Sequence, residues 1–161
     1  MQKYKNHTLK AYLDSLCAKT PVPGGGSAVA LVGSLGTALV SMVANYSLRK
    51  TKSRSLNSQI RIALLKSEKI RKRLLDLVDL DAEAYLGVVK SRAQNEKMKK
   101  RALKKAREIP LEVCRLCYDA VLLTSLLAQK GNPNLLSDIR VAVEMLTAAF
   151  NSAMVNARVN R

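Results

Sequence analysis

The sequence predicts an all-α fold, a compact helical bundle built round one long apolar helix. Three observations point there. Aromatic residues make up only 4%, with one Phe and no Trp, so the core must be aliphatic and rich in Ala, which favours closely packed helices. Four Pro and seven Gly leave too few turns for an all-β chain. Apolar residues recur at spacings of three and four along most of the chain. A length of 161 residues, 48% of them hydrophobic, suits a single domain over residues 1–161 and excludes disorder throughout.

Each element follows from local signals. Residues 1–7 read as a polar, flexible lead-in. Thr8 is placed to cap a first helix whose apolar positions are Leu9, Tyr12, Leu13 and Leu16, ending near Lys19 because Thr20-Pro21-Val22-Pro23 favours extended backbone. Gly24-Gly25-Gly26 follows, and Ser27 stands where an N-cap belongs. The second helix then runs from about Ala28 to Leu48. A basic, Ser-rich stretch with Arg49, Lys50, Lys52 and Arg54 leads into a third helix on Leu56, Ile60, Leu64, Ile70, Leu74, Leu77 and Val78, continuing through Asp81, Ala84, Tyr85 and Val88. Asp76, Asp79 and Glu83 fall off that stripe and read as solvated. Pro110 is expected to begin or kink a helix that reaches about Gln129. Lys130-Gly131-Asn132-Pro133-Asn134 is a stop and turn, and Ser137 is placed to cap a last helix rich in small apolar residues.

The second helix has an unusual composition. Residues 27–48 hold twenty-two consecutive positions without a charge. Ser27, Ser34, Thr37, Ser41, Asn45 and Ser47 make it a poor membrane span, and a buried central helix fits better. Apolar residues lie on all its sides, so both sides need cover, and a second copy of the chain supplies it economically. A homodimer is therefore expected, with no membrane partner. The start of the chain shows no signal-peptide pattern. Three cysteines, of which Cys114 and Cys117 form C-x-x-C on one helical face, read as packing residues in a reducing, cytoplasmic compartment. With one His and scattered acids there is no metal-ligand signature.

Charge sets the class of partner. The formal net charge is +16, and both halves of the chain are basic. Such a field attracts any polyanion without choosing among them. Nucleic acid is one candidate, with the Lys97–Arg107 cluster as footprint, although no aromatics are interleaved for base stacking. The Gly-rich loop is the more selective feature. Consecutive glycines permit positive φ and close approach of a ligand, and the helix behind them offers free N–H groups to an anion. Neither a P-loop lysine nor a preceding strand accompanies it. Asp81 interrupts an apolar stripe, where a carboxylate is either satisfied by a partner or used in acid/base chemistry. Asp138 is a second such acid, with a helix cap as its simpler role. Asn45 and Asn156 are amides among apolar neighbours.

The opening Leu13-Asp14-Ser15-Leu16 with Pro21-Val22-Pro23-Gly24-Gly25-Gly26-Ser27-Ala28-Val29-Ala30-Leu31 closely resembles that of the cyclodeaminase/cyclohydrolase family. These folate one-carbon enzymes include the cyclodeaminase domain of formiminotransferase-cyclodeaminase and stand-alone methenyltetrahydrofolate cyclohydrolases. The likeness continues at Met42-Val43-Ala44-Asn45, at Asp81-Ala82-Glu83-Ala84-Tyr85, at Ile109-Pro110-Leu111, from Gly131-Asn132 to Ser137-Asp138, and from Asn156 to Asn160. Leu48-Arg49-Lys50 stands where the family commonly has Gly-Lys-Lys, and the segment around residues 88–100 is compressed.

The resemblance implies an all-helical homodimer and reaction at the carbon bridging N5 and N10 of a reduced folate, with no cofactor beyond that substrate. It implies Asp81 and Asp138 as catalytic carboxylates. It also implies a folate site formed by Pro23, Gly24, Gly25, Gly26, Ser27 and Asn45, with Arg49, Lys50 and Lys52 placed to meet a polyglutamate tail.

Overall fold

The computed structural model describes residues 3–48 and 53–159. Its elements are α1 (Leu9–Cys17), α2 (Gly25–Ser47), α3 (Arg54–Ser91), α4 (Glu96–Lys130) and α5 (Leu136–Val159), with single 3-10 turns at Tyr4–Asn6 and Pro133–Leu135. The all-α expectation holds. The four long helices form an up-and-down bundle in which α2 packs on α3 and α5, and α4 closes the other side between them.

The glycine loop, Asp81 on α3 and the C-terminal end of α5 lie at one end of the bundle. The α4–α5 turn lies at the other end, where the Asn132 N–H donates to Ser47 Oγ at 2.8 Å on the last turn of α2. Gly131 has no room there for a side chain: a Cβ would stand 3.0 Å from Ser47 Oγ and closer still to the Leu127 carbonyl.

The core is aliphatic. Val40 and Val43 of α2, Ile60, Leu74 and Leu77 of α3, and Leu146 of α5 are fully buried, and Ala30, Ala44, Ala120, Ala142 and Ala153 allow the axes to approach closely. Gly33 and Gly36 serve the same end. A Cβ on Gly33 would meet Cys117 Sγ at 3.0 Å, and one on Gly36 would meet Leu146 Cγ at 3.0 Å. Small polar residues on α2 bond inward to the helix itself, as Thr37 Oγ1 does to the Gly33 carbonyl at 2.8 Å, or across to α3, where Ser41 Oγ meets Ser67 Oγ at 2.8 Å. This α2 segment is long and apolar enough to cross a membrane by length and composition, but over half of it is buried inside the bundle. Its outward side carries Ala28, Leu31, Leu35, Ala38, Met42 and Asn45 at alternating steps of three and four.

Several local expectations need correction. Of the lead-in, Tyr4 and Lys5 are docked rather than loose: the Tyr4 N–H donates to Asp79 Oδ1 at 2.6 Å, and Lys5 Nζ pairs with Asp76 at 2.5 Å. Asp79 is therefore buried, 6% exposed, and not solvated. A backbone N–H from a distant segment compensates the burial that its position off the apolar stripe did not foretell. Helix α4 starts at Glu96, capped by Asn95, and continues through Pro110, so the proline does not begin it. Burial of Ile109, Pro110 and Val113 against the core offsets the hydrogen bond that a proline cannot donate. Ser137 lies inside α5, which follows directly on the Pro133–Leu135 turn, and the capping oxygen there is Asn132 Oδ1, accepting from the Asn134 N–H at 3.2 Å.

Cys114 and Cys117 are free, buried and part of the core, whereas Cys17 is exposed. Burial, with the neighbouring Cys114, pushes the Cys117 thiol up to about 12. A thiol reagent at neutral pH should therefore label one cysteine in the native protein, Cys17, and all three only after unfolding. Intact mass spectrometry before and after denaturant reads this directly.

Candidate active site

The loop and the start of α2 differ in detail from the sequence reading. The helix begins at Gly25, with Gly24 as N-cap, so Ser27 is an early helical residue and not the cap. None of the glycines takes a positive φ. Their use is the absence of a side chain. Gly24 and Gly25 face open space, and Gly26 lies directly under a carboxylate. A Cβ on Gly26 would stand 2.5 Å from Asp81 Cγ and 2.6 Å from Oδ2, with Oδ1 nearer still.

That carboxylate does the capping that Gly24 cannot. Asp81 accepts a hydrogen bond from the Ser27 backbone N–H, one of the free N–H groups of the α2 N-terminus. Two opposed influences act on it. Burial, the larger, raises its pKa above the ordinary aspartate value, and the Ser27 N–H pulls it part of the way back. Ser27 itself is fully buried, and its Oγ lies 3.1 Å from the Tyr12 hydroxyl. Tyr12 is 5% exposed, and burial raises its pKa too. Helix α1 thus braces the loop from behind through this hydroxyl pair.

Asp81 opens into a cavity of about 400 Å³. Pro21, Val22 and Gly24–Gly26 form one wall, Asp81, Ala84, Tyr85, Val88 and Arg92 of α3 a second, and Ala106 of α4 with Asn156 and Val159 of α5 complete it. A larger cavity of about 650 Å³ lies between α3 and α4, lined by Lys66, Lys69, Arg73 and Arg115 among others, and holds none of the residues singled out from the sequence. The smaller cavity is the one with a half-buried carboxylate of raised pKa set against a helix N-terminus.

The predicted residues divide between the two ends of the bundle. Gly24, Gly25, Gly26 and Asp81 line the cavity together, Ser27 stands behind them, and Pro23 is buried beneath the loop. Asn45 lies near the other end of α2, roughly 28 Å from Gly26 at the rise of a helix. It lines a shallow depression with Ala38, Met42, Tyr46, Glu68 and Arg71. Asp138 sits in the first turn of α5. Eighteen residues of helix, roughly 27 Å, separate it from Asn156 at the cavity. Within one subunit neither Asn45 nor Asp138 meets Asp81. Arg49, Lys50 and Lys52 lie outside the described residues. Among those described, no group of three or more His, Cys, Asp or Glu side chains comes together.

Three cavity residues, Tyr85, Arg92 and Asn156, were not assigned to the site from sequence. Tyr85 and Asn156 carried a signal, an aromatic four residues after Asp81 and an amide on an apolar face. Arg92 carried none, because one arginine among 28 basic residues has nothing local to mark it.

Comparison with known proteins agrees with this placement of the chain. A family model described as formiminotransferase-cyclodeaminase matches residues 8–161. The chain is 36% identical to a methenyltetrahydrofolate cyclohydrolase of Methylorubrum extorquens, over 96% of this chain and 79% of that one. It is 30% identical to the formimidoyltransferase-cyclodeaminase of Rattus norvegicus, over 99% of this chain but only 31% of that longer protein. The crystal structure of a formiminotetrahydrofolate cyclodeaminase from Thermotoga maritima superposes with a TM-score of 0.93 at 32% identity, covering 97% of this chain and 79% of that one. With the whole helical bundle and all but the first seven residues matched, the chain belongs to the formiminotransferase-cyclodeaminase family.

Proposed function

We propose that this protein acts at the carbon bridging N5 and N10 of a reduced folate. It either hydrolyses 5,10-methenyltetrahydrofolate to 10-formyltetrahydrofolate or closes 5-formiminotetrahydrofolate with loss of ammonia. The observation that carries the reading is Asp81, half-buried above Gly26 and open to the cavity of about 400 Å³. The methenyl substrate is an amidinium cation, and a carboxylate beside it is favourable in a partly dry site.

In the hydrolytic reaction Asp81 accepts a proton from water as the oxygen bonds to the amidinium carbon. The carbon–N5 bond then breaks as the hydroxyl gives its remaining proton to solvent and becomes the formyl oxygen, and the same carboxyl returns its proton to N5. In the ammonia-forming reaction N10 attacks the carbon of the protonated formimino group, Asp81 takes the N10 proton and passes it to the departing nitrogen, and ammonia leaves as the methenyl cation forms. Asp138, the other carboxylate implied by the family resemblance, stands apart from Asp81 within one subunit. A catalytic role for it requires a neighbouring subunit. The 36% identity to a methenyltetrahydrofolate cyclohydrolase favours the hydrolytic reaction, and the fold shared with a cyclodeaminase supports the other.

We also propose a homodimer through the outward side of α2. Two copies of a chain with net charge +16 meet at least cost where neither carries charge, and a two-fold contact needs a self-complementary patch. The Leu31, Leu35, Ala38 and Met42 stripe supplies one, flanked on α3 by the neutralised Arg71–Glu68 pair at 2.8 Å. The other apolar face, with Leu65, Tyr118 and Leu122, is bordered by Lys66, Lys69 and Arg115 against Asp119, beside an Arg73–Glu112 pair at 2.8 Å, and the excess of positive charge there would repel a copy. Leu35→Arg is expected to give a monomer by light scattering at micromolar concentration, while Leu122→Arg leaves the mass of wild type.

The reaction is tested by absorbance decay of methenyltetrahydrofolate, corrected for spontaneous hydrolysis, and by its appearance from formiminotetrahydrofolate. Wild type should be active in at least one assay, and activity in neither defeats the proposal. Asp81→Asn keeps an acceptor for the Ser27 N–H but cannot take a proton, so turnover should fall by roughly 10²-fold or more. A rise in KM with unchanged kcat would instead make Asp81 a binding group. Gly26→Ala forces the carboxylate aside and should lose activity to a similar degree while the protein still folds by circular dichroism.

Stability should move the other way. Asp81 has a raised pKa in the folded state, so the native protein holds this proton more tightly than the unfolded chain. Its contribution to stability is then greatest in acid and declines as pH rises through the folded pKa. At pH 7 the ionised carboxylate is a net cost, and Asp81→Asn should melt no lower than wild type. Any gain in Tm should close as pH falls towards about 4, where aspartate in the unfolded chain also protonates. Thermal melts of both proteins across that range check the sign.

A further inference from the structure

Of the cavity-lining residues on α3 and its C-cap, four stand in a row, Asp81, Tyr85, Val88 and Arg92. Their spacings of four, three and four keep them within about 60° of one another round the helix axis. Arg92 is the C-cap residue of α3 and follows Asp81 by eleven positions. At helical rise that is roughly 16 Å along the wall. The chemistry along the row is ordered: a carboxylate, an aromatic ring that is 47% exposed, an aliphatic contact, and a guanidinium. Arg92 makes no ion pair among the described residues, although six other basic side chains do. Opposite the row the cavity is walled by backbone at Gly24 and Gly25 and by small or flat groups, so an elongated planar molecule is not obstructed.

A reduced folate presents a matching order. Its bridging carbon is followed by the aminobenzoyl ring and then by the glutamate carboxylates. Side chains on a helix lean towards its N-terminus, so the Arg92 side chain at the cavity wall leans back towards Asp81. We propose that the α3 row reads the folate lengthwise, with Tyr85 against the aminobenzoyl ring and Arg92 paired with a glutamate carboxylate while Asp81 meets the bridging carbon. This rests on the folate reading above and assigns Arg92 as the residue that distinguishes folate from its pteroate counterpart, which lacks glutamate. An arginine suits the task because its planar fork matches a carboxylate and stays charged at all working pH values. Tyr85 offers a face to a ring at low cost in side-chain entropy.

The test pairs two ligands with two variants. Calorimetry would use 5-formyltetrahydrofolate and 5-formyltetrahydropteroate, which differ only by the glutamate. Wild type should bind the folate more tightly by roughly tenfold, the worth of a charge-assisted contact to a partly solvated carboxylate. Arg92→Met should weaken folate binding to the pteroate level and leave the pteroate unchanged. Arg92→Lys should recover part of the difference. Tyr85→Ala should weaken both ligands alike, since both carry the ring. Added salt should narrow the folate–pteroate gap in wild type and not in Arg92→Met. With methenyltetrahydrofolate in the turnover assay, Arg92→Met should raise KM and spare kcat.

Equal effects of Arg92→Met on the two ligands would overturn the assignment, as would a wild type that binds neither or does not distinguish them. Failure of the proposed reaction reads differently. A wild type that binds folate over pteroate through Arg92, yet turns over neither methenyl- nor formiminotetrahydrofolate, would keep the recognition row and refute the chemistry.

Discussion

The contact between the Asp81 carboxylate and the first turn of α2 organises this protein. It joins the N-terminus of the central helix to the C-terminal third of the longest one. It satisfies the Ser27 N–H where Gly24 offers no side chain to do so. The same contact sets the sequence around it. Gly26 must lack a Cβ, because a carboxylate fills the space above it. Ser27 and Tyr12 must be small and aromatic respectively, because their hydroxyls meet behind the loop at 3.1 Å. A charged group placed in this way costs stability, which is why a catalytic role is proposed for it.

The bundle geometry then decides what can cooperate. Helices are stiff rods, and residues at opposite ends of α2 or α5 stay roughly 27 Å or more apart. The carboxylate at Asp81 therefore shares a cavity with its near neighbours on α3, with the loop, and with Asn156, which α5 delivers to the same end. Asp138 and Asn45 belong to the other end, beside the Ser47–Asn132 contact and the outward stripe of α2. A proposed dimer along that stripe is the one arrangement that could give them a share in catalysis, since a single chain cannot bend to bring them in.

Much of this was open to a reader of the sequence. Thr8 as a cap, the stop at Gly131, the buried C-x-x-C and the charge-free central helix all follow from short-range rules, because capping, turning and burial periodicity involve residues within a few positions of one another. Asp81 was legible for the same reason, as a break in a regular stripe. The exceptions involve partners far along the chain. Asp79 is buried because Tyr4, seventy-five positions away, donates to it. Pro110 is absorbed into α4 because its neighbours gain a core on both sides.

The sequence by itself therefore determined the helices, their apolar faces, the cationic surface and the one acid that did not fit its surroundings. These are properties of periodicity and composition, and they survive whatever the chain packs against. Tertiary structure alone decided where α2 begins, since the cap is a carboxylate supplied from α3 and not a side chain of the loop. It also decided that Asp81, Tyr85 and Arg92 share a cavity with Asn156 while Asp138 does not, because that depends on which ends of antiparallel helices lie side by side.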